Sequence, residues 1–109
     1  MQSEERNVLT KLFDIYGNLL SNKQFEVFDK YLNYDIGESE LGELYGESRQ
    51  SIHDAIAKAK KQLFIFEEKC KIYEKNSILI QNLVEIKDDL QKKDKSNLSD
   101  RIDEIIEKL

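Results

Sequence analysis

Residues 39–56, SELGELYGESRQSIHDAI, hold two short apolar patterns on either side of a glycine. Leu41, Leu44 and Tyr45 recur at helical steps, and so do Ile52 and Ile56. Gly46 stands between them, at a place suited to the positive φ on which a helix stops. Ser48 then opens the second helix as an N-cap. Two helices that cross at a wide angle through a tight turn need a small residue at their closest approach, and Gly42 supplies it. The stretch therefore reads as a helix-turn-helix, with Ile52 and Ile56 facing back toward Leu41 and Tyr45. Glu47 departs from that pattern. An apolar side chain usually plugs the junction after the turn, so Glu47 is expected to point outward and leave the motif less tightly locked.

Toward the C-terminus, Ile52, Ile56, Ala59, Leu63, Phe66, Cys70 and Tyr73 step by 4, 3, 4, 3, 4 and 3. That heptad seam predicts one helix over residues 48–75, about 42 Å long at 1.5 Å per residue. Asn76-Ser77 interrupts it, and Ile78, Leu79, Leu83, Ile86 and Leu90 begin a fifth helix. Residues 92–97 form a charged connector, and Asn97 can cap a last helix with Leu98, Ile102, Ile105, Ile106 and Leu109 on one face. Toward the N-terminus, Val8, Leu9, Leu12, Phe13, Tyr16, Leu19 and Leu20 make an amphipathic stripe with Gly17 inside it. Ser21 or Asn22 caps a second helix that turns Phe25, Phe28, Tyr31 and Leu32 inward, residues 33–37 break it, and Ser39 caps the third. The 63 residues 47–109 contain no Gly or Pro, which nearly excludes a β-sandwich or barrel. The expected fold is all-α: a helix-turn-helix domain over residues 1–75 with a long recognition helix. A helical hairpin over 76–109 would pack on it or on a partner protomer.

Of the 109 residues, 39% are apolar and 36% charged, but ten aromatics and many Leu and Ile argue for a packed core rather than disorder. No apolar run approaches a membrane span and no secretory signal opens the chain, so a cytoplasmic protein without membrane contact is expected. One Cys and one His leave no intrachain disulfide and no soft-ligand metal site. No Gly-rich phosphate loop and no Ser-His-Asp or Cys-His set can be built, so neither catalytic residues nor a cofactor are expected. The net charge of −5 is unevenly spread: −6 over residues 1–47, +3 over 48–84 and −2 over 85–109. If the chain meets a polyanion, the middle segment makes the contact.

The runs Leu19-Leu20-Ser21-Asn22-Lys23-Gln24, Glu40-Leu41 and Ser48-Arg49-Gln50-Ser51-Ile52-His53-Asp54 resemble the YlxM family of small bacterial helix-turn-helix proteins. The resemblance covers roughly residues 7–75 and is most specific in the Ser-Arg-Gln-x-apolar-x-Asp run. Family members usually carry alanine at the position of Gly42, an apolar residue at that of Glu47 and an aromatic at that of His53. The resemblance implies a fold similar to region four of sigma factors. Because the family's genes lie beside those of the signal recognition particle, it also implies a regulatory role in that pathway.

In a helix-turn-helix the first turns of the second helix enter the major groove. Arg49, Gln50 and His53 would project outward there and are the candidates for base contacts, since Arg pairs bidentately with guanine and Gln with adenine. Ser48, Lys58, Lys60 and Lys61 are the candidates for phosphate contacts. Asp54 and the acidic first helices oppose binding, and a capped, solvated helix face is the competing reading. Cys70, on the apolar seam, reads as a buried small hydrophobe. Leu63, Phe66, Cys70 and Tyr73 expose more apolar surface than three short helices can cover, which makes them candidates for a homodimer interface. Two functions stay open. One is a DNA-binding regulator; the other is an interaction module acting on the signal recognition particle GTPase or its RNA.

Overall fold

The computed structural model describes residues 3–92 and 97–109, so most of the charged connector lies outside the described residues. It divides into two compact units, Met1–Lys71 and Ile72–Leu109. The first holds α1 (Ser3–Tyr16), a short 3-10 turn (Gly17–Leu19), α2 (Asn22–Asn33), α3 (Glu38–Tyr45) and α4 (Arg49–Cys70). The second holds α5 (Ile72–Leu90) and α6 (Leu98–Lys108). No strand occurs among the described residues. The all-α expectation holds.

In the first unit α4 is the central element, with α1, α2 and α3 all packed against it. Leu9, Leu12, Phe28, Leu32, Leu41, Ile52, Ala59 and Leu63 are almost wholly shielded from solvent and form one core. The apolar stripe of α1 is interrupted where the sequence placed Gly17 inside a helix. The α-helix stops at Tyr16, and Gly17 sits buried in the 3-10 turn. A Cβ there would lie 3.1 Å from the Phe13 ring and 3.3 Å from Phe25, so the absence of a side chain lets those two rings close at 4.9 Å between centroids. Leu19, counted in the stripe, is carried outward and exposed.

Capping fixes where the helices begin. Ser21 accepts a hydrogen bond from the Gln24 backbone N–H, and the Gln24 side chain accepts one from the Ser21 N–H, a capping box that opens α2. Ser39 does not cap the third helix as expected. Gly37 occupies the N-cap position without a side-chain bond, and Ser39 is already the second residue of α3. Asn97 holds the N-cap position of α6, also without a side-chain bond.

The predicted 48–75 helix ends early. α4 runs only to Cys70 because Lys71 adopts φ +56°, and α5 starts at the next residue, not after Asn76-Ser77. At 1.5 Å per residue the 22 residues of α4 span about 33 Å. The heptad seam is thus divided: Ile52, Ile56, Ala59 and Leu63 are buried, Phe66 is half-buried and Cys70 is exposed. The expectation that Cys70 is a buried hydrophobe fails. Near this end of α4, Tyr16 packs on Phe66 with ring centroids 6.1 Å apart and its hydroxyl donates to Glu67 at 2.7 Å; Cys70, one turn beyond, is exposed. Leu63 is withdrawn as a dimer contact, since its own chain shields it completely.

Candidate nucleic-acid interface

The site is built by the turn between α3 and α4. Gly46 takes φ +66° and ends α3 in the left-handed conformation, where an L side chain is strained. Gly42 stands where the turn folds back over α3: a Cβ there would meet the Glu47 backbone oxygen at 2.7 Å. That space is used by the backbone itself, since the Glu47 N–H donates to the Gly42 carbonyl at 2.8 Å. Ser48 Oγ then accepts the Ser51 backbone N–H at 3.0 Å and starts α4. The close approach read for Gly42, the positive φ read for Gly46 and the capping role read for Ser48 are realised.

Glu47 does not leave the junction loose. Its carboxylate lies 2.6 Å from Lys23 Nζ at the start of α2 and accepts a hydrogen bond from Ser51 Oγ at 2.9 Å. The Lys23 hydrogen bond, followed by that from Ser51, holds its pKa below the ordinary value. A polar latch thus takes the place of an apolar plug.

Arg49, Gln50 and His53 are exposed on the first turns of α4, as expected, with Ile52 and Ile56 turned into the core. Each meets an acidic partner. Glu38, in the first turn of α3, reaches Arg49 Nε at 3.7 Å with one carboxylate oxygen. Its other oxygen lies 2.9 Å from His53 Nδ1, the distance of a hydrogen bond donated by the ring N–H. The Gln50 amide donates to Asp54 at 2.9 Å. Glu38, Arg49, Gln50 and His53 together line a shallow open concavity. Sequence reasoning missed Glu38. It lies fifteen residues before His53, and only the helix crossing brings the two together.

The lysines divide. Lys58 and Lys61 are exposed, but Lys60 is turned toward the body of the unit. Its ammonium lies 3.8 Å from Glu5 and 5.6 Å from the centre of the Tyr31 ring, so it is removed from the phosphate-contact set. The cause is helical phase. Lys60 follows the buried Ala59 and shares the edge of α4 that meets α1 and α2. Among the described residues no group of three or more His, Cys, Asp or Glu could hold a metal ion. No helix described is long and apolar enough to cross a membrane.

Comparison with known proteins agrees with this geometry. A family model described as "Putative helix-turn-helix protein, YlxM / p13 like", UPF0122, matches residues 3–105. A UPF0122 protein of Clostridium perfringens strain 13 is 36% identical over 104 residues, covering 95% of this chain and 91% of its own. One from Clostridium acetobutylicum is 36% identical over 110 residues, covering 94% and 95%. One from Caldanaerobacter subterraneus is 35% identical over 80 residues, covering 73% and 68%. With the match spanning both units and the α3–α4 turn built as described, the chain belongs to the YlxM/p13-like family of helix-turn-helix proteins.

Proposed function

We propose that this protein is a cytoplasmic, DNA-binding regulator that lays the N-terminal turns of α4 in the major groove. The observation that carries the reading is the serine-capped start of α4, from which Arg49, Gln50 and His53 are all exposed. Arg49 and Gln50 have the donor geometry for guanine and adenine edges, and Ser48, Lys58 and Lys61 supply phosphate contacts. With Lys60 turned away, three cations per protomer remain, too few for tight binding by one copy. Two copies on neighbouring half-sites raise the affinity by acting together, and the exposed apolar faces of α5 and α6 are the surfaces on which such a pair is built.

Salt dependence tests the reading. Two lysines on phosphate give a log–log slope of about −2 per protomer, and Arg49→Ala should weaken binding at least tenfold. A second reading is favoured by the acids at Arg49, Gln50 and His53: an interaction module that acts on the signal recognition particle GTPase or its RNA, the pathway to which YlxM resemblance points. Titration of duplex DNA that gives no shift at low salt, beside capture of that GTPase, decides for the second.

A further inference from the structure

Glu38 is placed unlike the other acids of α3. Its side chain is 22% exposed, whereas Arg49 and His53, which it engages, are 74% and 57% exposed. One sheltered carboxylate thus holds two side chains that point to solvent, the Arg49 guanidinium and the His53 ring. Glu40, on the same helix, is exposed. A phosphate that approaches Arg49 must accept the Glu38 carboxylate as a neighbour of like charge. A guanine edge suffers less: it is uncharged, and it offers Arg49 two acceptors in a fixed plane through N–H groups that the Nε contact with Glu38 leaves available. The carboxylate therefore penalises contact with the backbone more than contact with bases, an internal form of design against the wrong partner.

We propose that Glu38 is a specificity-determining residue of this face, an intramolecular competitor for Arg49 and His53 that suppresses binding to the DNA backbone irrespective of sequence. The inference rests on the DNA-binding reading above. Its test needs no knowledge of the target site. The full chain, Glu38→Gln and Glu40→Gln are titrated onto a mixed-sequence DNA duplex across a salt series. Both variants lose one negative charge, but only Glu38→Gln releases Arg49 and His53.

Glu38→Gln should bind about three- to tenfold tighter than the parent, the worth of one exposed ion pair to Arg49 and one exposed hydrogen bond to His53. Its salt slope should be steeper by about one, the signature of one more cation reaching phosphate. Glu40→Gln should change affinity less than about twofold, and adding Arg49→Ala to Glu38→Gln should erase the gain. Equal tightening by the two single variants would overturn the role of Glu38 while leaving DNA binding intact. A parent and a Glu38→Gln variant that both ignore duplex at low salt would remove the DNA reading, and the proposed role with it. Matching thermal melts of all four proteins exclude a folding difference.

Discussion

A carboxylate in the turn of a helix-turn-helix makes the motif sensitive to acid. Glu47 is ion-paired to Lys23 and hydrogen-bonded by Ser51, and both interactions favour its charged form. Its folded pKa is lowered from an ordinary value of 4.5, so the folded chain binds the proton more weakly than the unfolded one. The contribution of Glu47 is therefore present above that ordinary value and is lost as pH falls through the lower folded value. Urea denaturation at stepped pH should show stability declining below about pH 4.5, with part of the decline absent in Glu47→Gln. An identical acid profile in the variant would mean that the latch contributes nothing.

At the scale of elements, the crossing of α3 and α4 depends on backbone contact at Gly42. A methyl group there would meet the Glu47 carbonyl at 2.7 Å, and a backbone atom cannot swing aside as a flexible side chain does. Gly42→Ala should cost about 1–3 kcal/mol in denaturant unfolding, the range for overpacking a tight contact. An unchanged midpoint would show that the turn can open at no cost. This crossing was legible in the sequence because it is written in residues with one purpose: a glycine for close approach, a glycine for positive φ, a serine for the cap. The end of α4 was not. Lys71 adopts φ +56° without being Gly or Asn, a conformation costing roughly 1–2 kcal/mol for an L residue, so the apolar seam runs past the break unmarked. The pairing of Glu38 with Arg49 and His53 was hidden for a different reason. Helical spacing says which residues share a face within one helix, and nothing about which side chains from two crossing helices come within 4 Å.

Across the whole molecule, the two units differ in how well they hide their apolar residues. The first has a continuous core. In the second, Ile86 and Leu98 are the buried residues of α5 and α6, while Ile80, Leu83, Val84, Ile102 and Ile106 are exposed. Covering such side chains is worth roughly 1.5–3 kcal/mol each, and a second copy presents the same faces in return. At micromolar concentration the protein should sediment near twice its 12.9 kDa protomer mass. Val84→Glu should halve that mass and leave the helical signal of the first unit in place. A parent protein that stays near 12.9 kDa at all concentrations would exclude the pair.

The central position of α4 also orders events in time. α1, α2 and α3 pack mainly against α4 rather than against one another, and α4 is the last of the four to be synthesised. Its buried positions run from Ile52 to Leu63. On the ribosome, α1 and α2 can meet through Phe13, Phe25 and Phe28, but the core of the unit is not complete until Leu63 has cleared the exit tunnel. At elongation rates of about 5–20 residues per second, the N-terminal helices spend seconds without the helix that most of their apolar faces cover. Over that interval the net charge of −6 on residues 1–47 disfavours contact with a polyanionic surface such as ribosomal RNA.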